Sequence, residues 1–129
     1  MEKNLTDKVV DAIFAVHRAM GPGLPESIYE ECLTREFDLN GIAYEQQVKV
    51  NVQYKGQTLT KYFRLDLLVE NKVIVEIKSV SELLPLHEAQ LLAYLKVADK
   101  RIGYVVNFNV HLVKDGIRRI VNGYTFNNQ

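Results

Sequence analysis

Apolar positions along the chain follow two different periods. Leu5, Val9, Ile13, Val16 and Met20 recur at helical spacing, which predicts an amphipathic helix over residues 4–20. Gly21-Pro22-Gly23 stops it. Pro25 suits the first position of a second helix, and Glu26 then lies in the first turn, near the positive end of the helix dipole. That helix runs to about Leu39, where Asn40-Gly41 signals its end. From Tyr44 the period becomes two. Tyr44, Gln46, Val48, Val50, Val52 and Tyr54 fall on one face of a strand, and Glu45, Gln47, Lys49, Asn51 and Gln53 on the other. Lys55-Gly56 reads as a turn into a second strand from Thr58 to Val69. A third strand covers Val73 to Ser79, a helix opens at Pro85 and runs to about Ala98, and Ile102 to Phe108 is a further apolar strand. A short strand is expected around Gly116–Val121. The order is helix, helix, three antiparallel strands, helix, strand. It predicts an α/β (α+β) fold, a mixed central sheet flanked by helices.

Register sharpens this picture. If the second hairpin is centred on Asn71, Val69 pairs with Val73, Leu67 with Val75 and Leu65 with Ile77, and these six make one apolar face. On the other face Leu68 meets Ile74, Asp66 meets Glu76 and Arg64 meets Lys78. A shift of half a residue would pair apolar with polar positions and send Asp66 and Glu76 to opposite faces. Hydrophobic pairing alone therefore brings two carboxylates together.

Nine residues separate Asp66 from Glu76-Ile77-Lys78. Two carboxylates directly opposite each other repel, and one is held protonated unless positive charge lies between them. A hard divalent cation meets that need, since Mg²⁺ favours one or two carboxylates completed by water and phosphate oxygens. Such an ion acidifies water and polarises phosphorus. Lys78 shares the side of Glu76 and is placed to hold an attacking water or to offset charge developing on a phosphate. The plain alternative is a solvated face, with Arg64 and Lys78 neutralising the acids. A position in mid-sheet, where exposed charge is unexpected, favours the site.

Composition narrows the classes without choosing among them. The 129 residues (14.8 kDa) fit a single domain, 1–129, and 47% hydrophobic with 25% charged residues is ordinary for a globular chain. Sixteen basic residues balance sixteen acidic ones, which argues against a dedicated non-specific nucleic-acid binder but leaves room for a local basic patch. Cys32 is the one cysteine, so neither an internal disulfide nor a cysteine zinc cluster is expected, in keeping with a reducing cytoplasm. No signal peptide is evident at Met1, and no apolar run approaches the ~20 residues that span a bilayer, so no membrane partner is expected.

With these residues in place, the chain resembles the PD-(D/E)XK nuclease superfamily and, within it, the small GxxExxY family. The naming motif stands as Gly23-Leu24-Pro25-Glu26-Ser27-Ile28-Tyr29. Helix, Asp, Glu-x-Lys and a helix bearing Gln and Tyr follow in the family's order, over about Val9 to Val121. The resemblance implies a restriction-endonuclease-like core and hydrolysis of nucleic-acid phosphodiester bonds, DNA above all, with Mg²⁺ or Mn²⁺. It implies Asp66 and Glu76 as metal-binding acids, the backbone carbonyl of Ile77 as a further ligand, and Lys78 as the catalytic lysine. Glu26 corresponds to the upstream helical acid of the metal site, and Gln90 and Tyr94 to a substrate-binding pair. Leu65 stands where many members have proline.

Other readings remain beside this one. Glu26 is also a favourable first-turn acid. Tyr29 and Cys32 suit the core, His87 a surface or supporting position, and His17 and His111 carry no role. A nuclease fold serving as a silent binding module and a homodimer resolving junction DNA are the two alternatives in function.

Overall fold

A computed structural model of the chain describes residues 3–123. Helix α1 spans Leu5–Met20 and α2 Glu26–Leu39; strands β1 (Tyr44–Tyr54), β2 (Gln57–Val69) and β3 (Val73–Lys78) follow. Helix α3 (Pro85–Ala98) leads to β4 (Ile102–Asn107), and a 3₁₀ turn at Val113–Gly116 precedes β5 (Ile117–Val121). The five strands form one mixed sheet in the order β1-β2-β3-β4-β5. Only β3 and β4 run parallel, because α3 carries the chain back between them. The α+β architecture expected from the residue pattern is thus the one observed.

Local chemistry accounts for the element ends. Asn4 caps α1, its side chain accepting the Asp7 N–H at 2.9 Å. Lys55 and Gly56 join β1 to β2, both at positive φ, as a two-residue hairpin turn of that twist requires. The Leu84 N–H at the start of α3 donates to Nδ1 of His87 at 2.9 Å, so His87 serves the helix end.

Two apolar layers sandwich the sheet. Val9, Ile13 and Val16 of α1 and Tyr29, Leu33 and Phe37 of α2 pack on Leu67, Val69, Val73, Val75, Ile77, Tyr104 and Val106. On the opposite face, Leu91 and Leu95 of α3 cover Leu65, Leu68, Ile74 and Val105. Strand β3 is covered on both faces and reads as a buried apolar run with one acid in it.

The hairpin register is as expected where the ladder exists: Val69 pairs with Val73, Leu68 with Ile74 and Leu67 with Val75. It stops there. Leu65–Ile77, Asp66–Glu76 and Arg64–Lys78 are not ladder pairs, and Leu65 packs on the α3 face while Leu67 and Ile77 pack on the other. Strand β1 shows the same switch. Tyr44 packs beside α2, but Val48 and Val50 pack on the α3 side, so the single alternating face expected from Tyr44 to Tyr54 is broken. Gln47, at φ 50°, sits at the break, opposite Asp66 in the β1–β2 register. One left-handed residue rotates the strand beyond it, and the alternation restarts on the opposite face.

Candidate active site at the divergence of β2 and β3

Where the ladder ends, side chains replace it. The Asp66 N–H donates to Oε2 of Glu76 at 2.9 Å, and the Ile77 N–H donates to Oδ2 of Asp66 at 2.8 Å. Each acid thus accepts a main-chain N–H of the other's strand. Parted strands would leave those donors orphaned, and charged acceptors make the stronger hydrogen bonds.

The electrostatics follow from burial. Glu76 is only 5% exposed. Burial, with the repulsion of Asp66 added, pushes its carboxyl up to about 8, against the pull of the Asp66 N–H and the charge of Lys78. Lys78, at the end of β3, is half-buried and acts on Glu76 as the local positive charge. Tyr94 stands on the α3 side, its ring stacked on Phe63 at 4.1 Å between centroids. Its hydroxyl is held above the usual range by burial and then by the nearby charges of Glu76 and Asp66. Gln90, one helical turn earlier, is exposed.

Glu26 lies beside the end of β3 rather than against the two acids. Its Oε2 accepts the Ser79 N–H at 3.3 Å, one residue past Lys78. The segment that carries Glu26 is built around Tyr29. Fully buried and stacked on Phe108 at 4.4 Å, Tyr29 donates its hydroxyl to the Gly21 carbonyl at 2.5 Å and accepts the Leu24 N–H at 3.1 Å. Ser79 Oγ donates to the Leu24 carbonyl at 2.7 Å. Gly23, at φ 103°, makes the turn that no side chain tolerates easily. The glycine, glutamate and tyrosine of Gly23–Tyr29 therefore act as one device that docks α2 on the chain leaving β3 at Ser79.

Three residues important to this geometry escape a reading of the residue pattern. Glu30, one turn after Glu26, adds to the charge that raises Glu76, and its carboxylate accepts the Gln46 and Gln47 amides at 3.0 and 3.1 Å. Gln47 also lies 3.5 Å from Oδ1 of Asp66, so its amide bridges the two acids. Helical i,i+4 spacing from Glu26 is the signal that points to Glu30. Gln47 carries none, since its positive φ is a tertiary outcome. Asn107 is buried beside Lys78 in the parallel register. Its Oδ1 accepts the N–H groups of Val80 and Asn109, and its Nδ2 donates to the Val80 carbonyl, which fixes the chain leaving β3. An amide ending the apolar run Ile102–Val106 is its visible mark.

The donor set is all oxygen, as hard divalent cations require, and a bound cation would favour the ionised form of Glu76 that burial disfavours. Asp66, Glu76 and the Ile77 carbonyl are the groups that fit such an ion. Among the described residues no three His, Cys, Asp or Glu side chains converge as a metal-binding group. No described helix is long and apolar enough to cross a membrane.

Adenylosuccinate synthetase of Wigglesworthia glossinidia brevipalpis is 26% identical over 100 residues, covering 78% of this chain and 23% of that protein. The chain thus spans under a quarter of that relative's length. The solved structure of SSO0001 superposes with a TM-score of 0.47 at 17% identity, over 96% of this chain and 81% of that one. The profile of the PD-(D/E)XK nuclease superfamily matches residues 3–120, from α1 to β5. The chain belongs to the PD-(D/E)XK nuclease superfamily, whose members are usually nucleases.

Proposed function

We propose that this chain is a nuclease of the GxxExxY kind, hydrolysing phosphodiester bonds of nucleic acid, DNA in the first place, with Mg²⁺ or Mn²⁺. The observation that carries the reading is the crossed pair of hydrogen bonds joining Asp66 and Glu76 across parted strands, with Lys78 beside them. Asp66, Glu76 and the Ile77 carbonyl hold the metal, and Glu26 completes the site from α2. The ion, when bound, supplies Lewis acidity and an acidified water. Lys78 offsets negative charge that builds on the phosphate as the attacking oxygen bonds to phosphorus and the leaving oxygen departs. Gln90 and Tyr94, a turn apart on α3, orient the strand, with the Phe63 stack holding the Tyr94 ring still. Residues 1–129 act as one domain in the cytoplasm.

A panel of single-stranded DNA, duplex DNA, junction DNA and RNA, with Mg²⁺ or Mn²⁺, tests this reading. Wild type should cut at least one substrate, and Glu76→Ala and Lys78→Ala should not. Equal cutting by both variants, or none by wild type, ends it. A second reading, a binding module that no longer cuts, draws on the even balance of sixteen basic and sixteen acidic residues rather than on the site. It predicts binding without cleavage under every metal.

A further inference from the structure

We infer that the β1–β2 hairpin is an arm that grips a single-stranded segment of nucleic acid and leads it into the site. Residues 48–65 contain Lys49, Lys55, Lys61 and Arg64 and no acid, within a chain whose sixteen basic and sixteen acidic residues cancel as a whole. Beyond Leu67, β2 keeps β1 as its ladder neighbour while β3 parts from it, and residues 53–62 are all exposed. A two-stranded ribbon standing off the body, with one sign of charge, complements a phosphate backbone.

Its aromatic residues favour an unpaired strand over a duplex. Tyr62 is 46% exposed and Tyr54 62% exposed. Lys49 lies 4.6 Å and Arg64 5.4 Å from the centre of the Tyr62 ring, and Lys55 lies 5.5 Å from that of Tyr54. Exposed rings ringed by cations form a stacking platform with phosphate partners at hand: the ring takes a base while the cations turn to the backbone. A duplex keeps its base faces buried and offers nothing to stack.

The root of the arm ties it to the acids on both faces. On the α3 side Phe63 stacks on Tyr94. On the other, Nη1 of Arg64 donates to the Gln47 carbonyl at 3.3 Å, and the Gln47 amide reaches Asp66. Arg64 is two residues from Asp66, about 7 Å along the strand. A strand held on Tyr62 therefore arrives at Asp66 and Glu76.

The inference rests on the nuclease reading for its destination but not for its test, because binding is measured in chelator, where nothing is cut. Fluorescence anisotropy with a labelled oligothymidylate and with a duplex of equal length should show tighter binding of the single strand. Tyr62→Ala should weaken that binding about ten- to a hundred-fold, and Tyr62→Phe should keep it. Lys49→Gln with Lys61→Gln should flatten the dependence of log affinity on log salt by about 0.7 for each lysine removed. Tighter binding of duplex, no binding of either, or unchanged affinity and salt slope in these variants would overturn the arm. Binding as expected with no cleavage in any metal leaves the arm standing and removes the nuclease; cleavage with unaltered binding in the variants does the reverse.

Discussion

Glu76 and Asp66 exchange hydrogen bonds across a gap in the sheet: Glu76 accepts the N–H of Asp66, and Asp66 accepts the N–H of Ile77. Two acids thus close the ladder that the backbone abandons. Their removal should have unequal effects. Glu76→Gln keeps an acceptor for the Asp66 N–H and relieves the repulsion, so the metal-free protein should melt no lower than wild type while cleavage is lost. Asp66→Ala orphans the Ile77 N–H, and ~1–3 kcal/mol of stability should go with the activity. Thermal melts in chelator, beside cleavage assays, separate the two.

The stability of the metal-free protein should fall as pH rises. Unfolded Glu76 ionises near 4.5, whereas in the fold its carboxyl is pushed up to about 8. Below 4.5 both states hold the proton and nothing is lost. Between 4.5 and 8 the unfolded state binds fewer protons, so unfolding is increasingly favoured, by up to a few kcal/mol at alkaline pH. Urea unfolding across that window should show the decline, Glu76→Gln should flatten it, and Mg²⁺ should stabilise most at the alkaline end. A flat wild-type profile in chelator contradicts the burial argument.

Glu30 and Glu26 should be separable by what each touches. Glu30→Gln removes a charge that raises Glu76, so the midpoint of the pH profile should move down while the α2 dock stays intact. Glu26→Ala releases the Ser79 N–H and should raise the Mg²⁺ concentration needed for half-maximal cleavage. Titrating each variant with metal and with acid tells the two apart.

Tyr29→Phe should loosen the dock without emptying the core. The ring still stacks on Phe108, but the Gly21 carbonyl and the Leu24 N–H lose their partner. A loss of about 1–3 kcal/mol is expected. Hydrogen exchange should rise at residues 21–29 and around Ser79 before it rises in the sheet.

Gly116→Ala should disturb the site from a distance. A Cβ there would stand 2.2 Å from the Asn107 carbonyl, and Asn107 holds the chain that leaves Lys78. Overpacking against backbone should remove about 1–3 kcal/mol, read as a lower urea midpoint.

Much of this geometry was legible in the order of residues. Apolar periods of 3.6 and 2 marked the helices and strands, because each element must bury one face. The valines and leucines around Asn71 set the register at the turn, because a slip would pair apolar with polar positions. What the chain by itself determined was the set of elements and the meeting of the two acids. Tertiary structure decided how they meet. The pattern predicts Leu65 opposite Ile77, yet the fold packs them on opposite faces where β2 and β3 part, and on β1 beside them Gln47 adopts a left-handed conformation that no alternation of side chains encodes. Residues far apart in sequence supplied the rest. Glu26 finds Ser79, Gln47 joins Glu30 to Asp66, and Asn107 holds Val80. Each answers a buried or parted polar group whose need exists only once the strands have diverged.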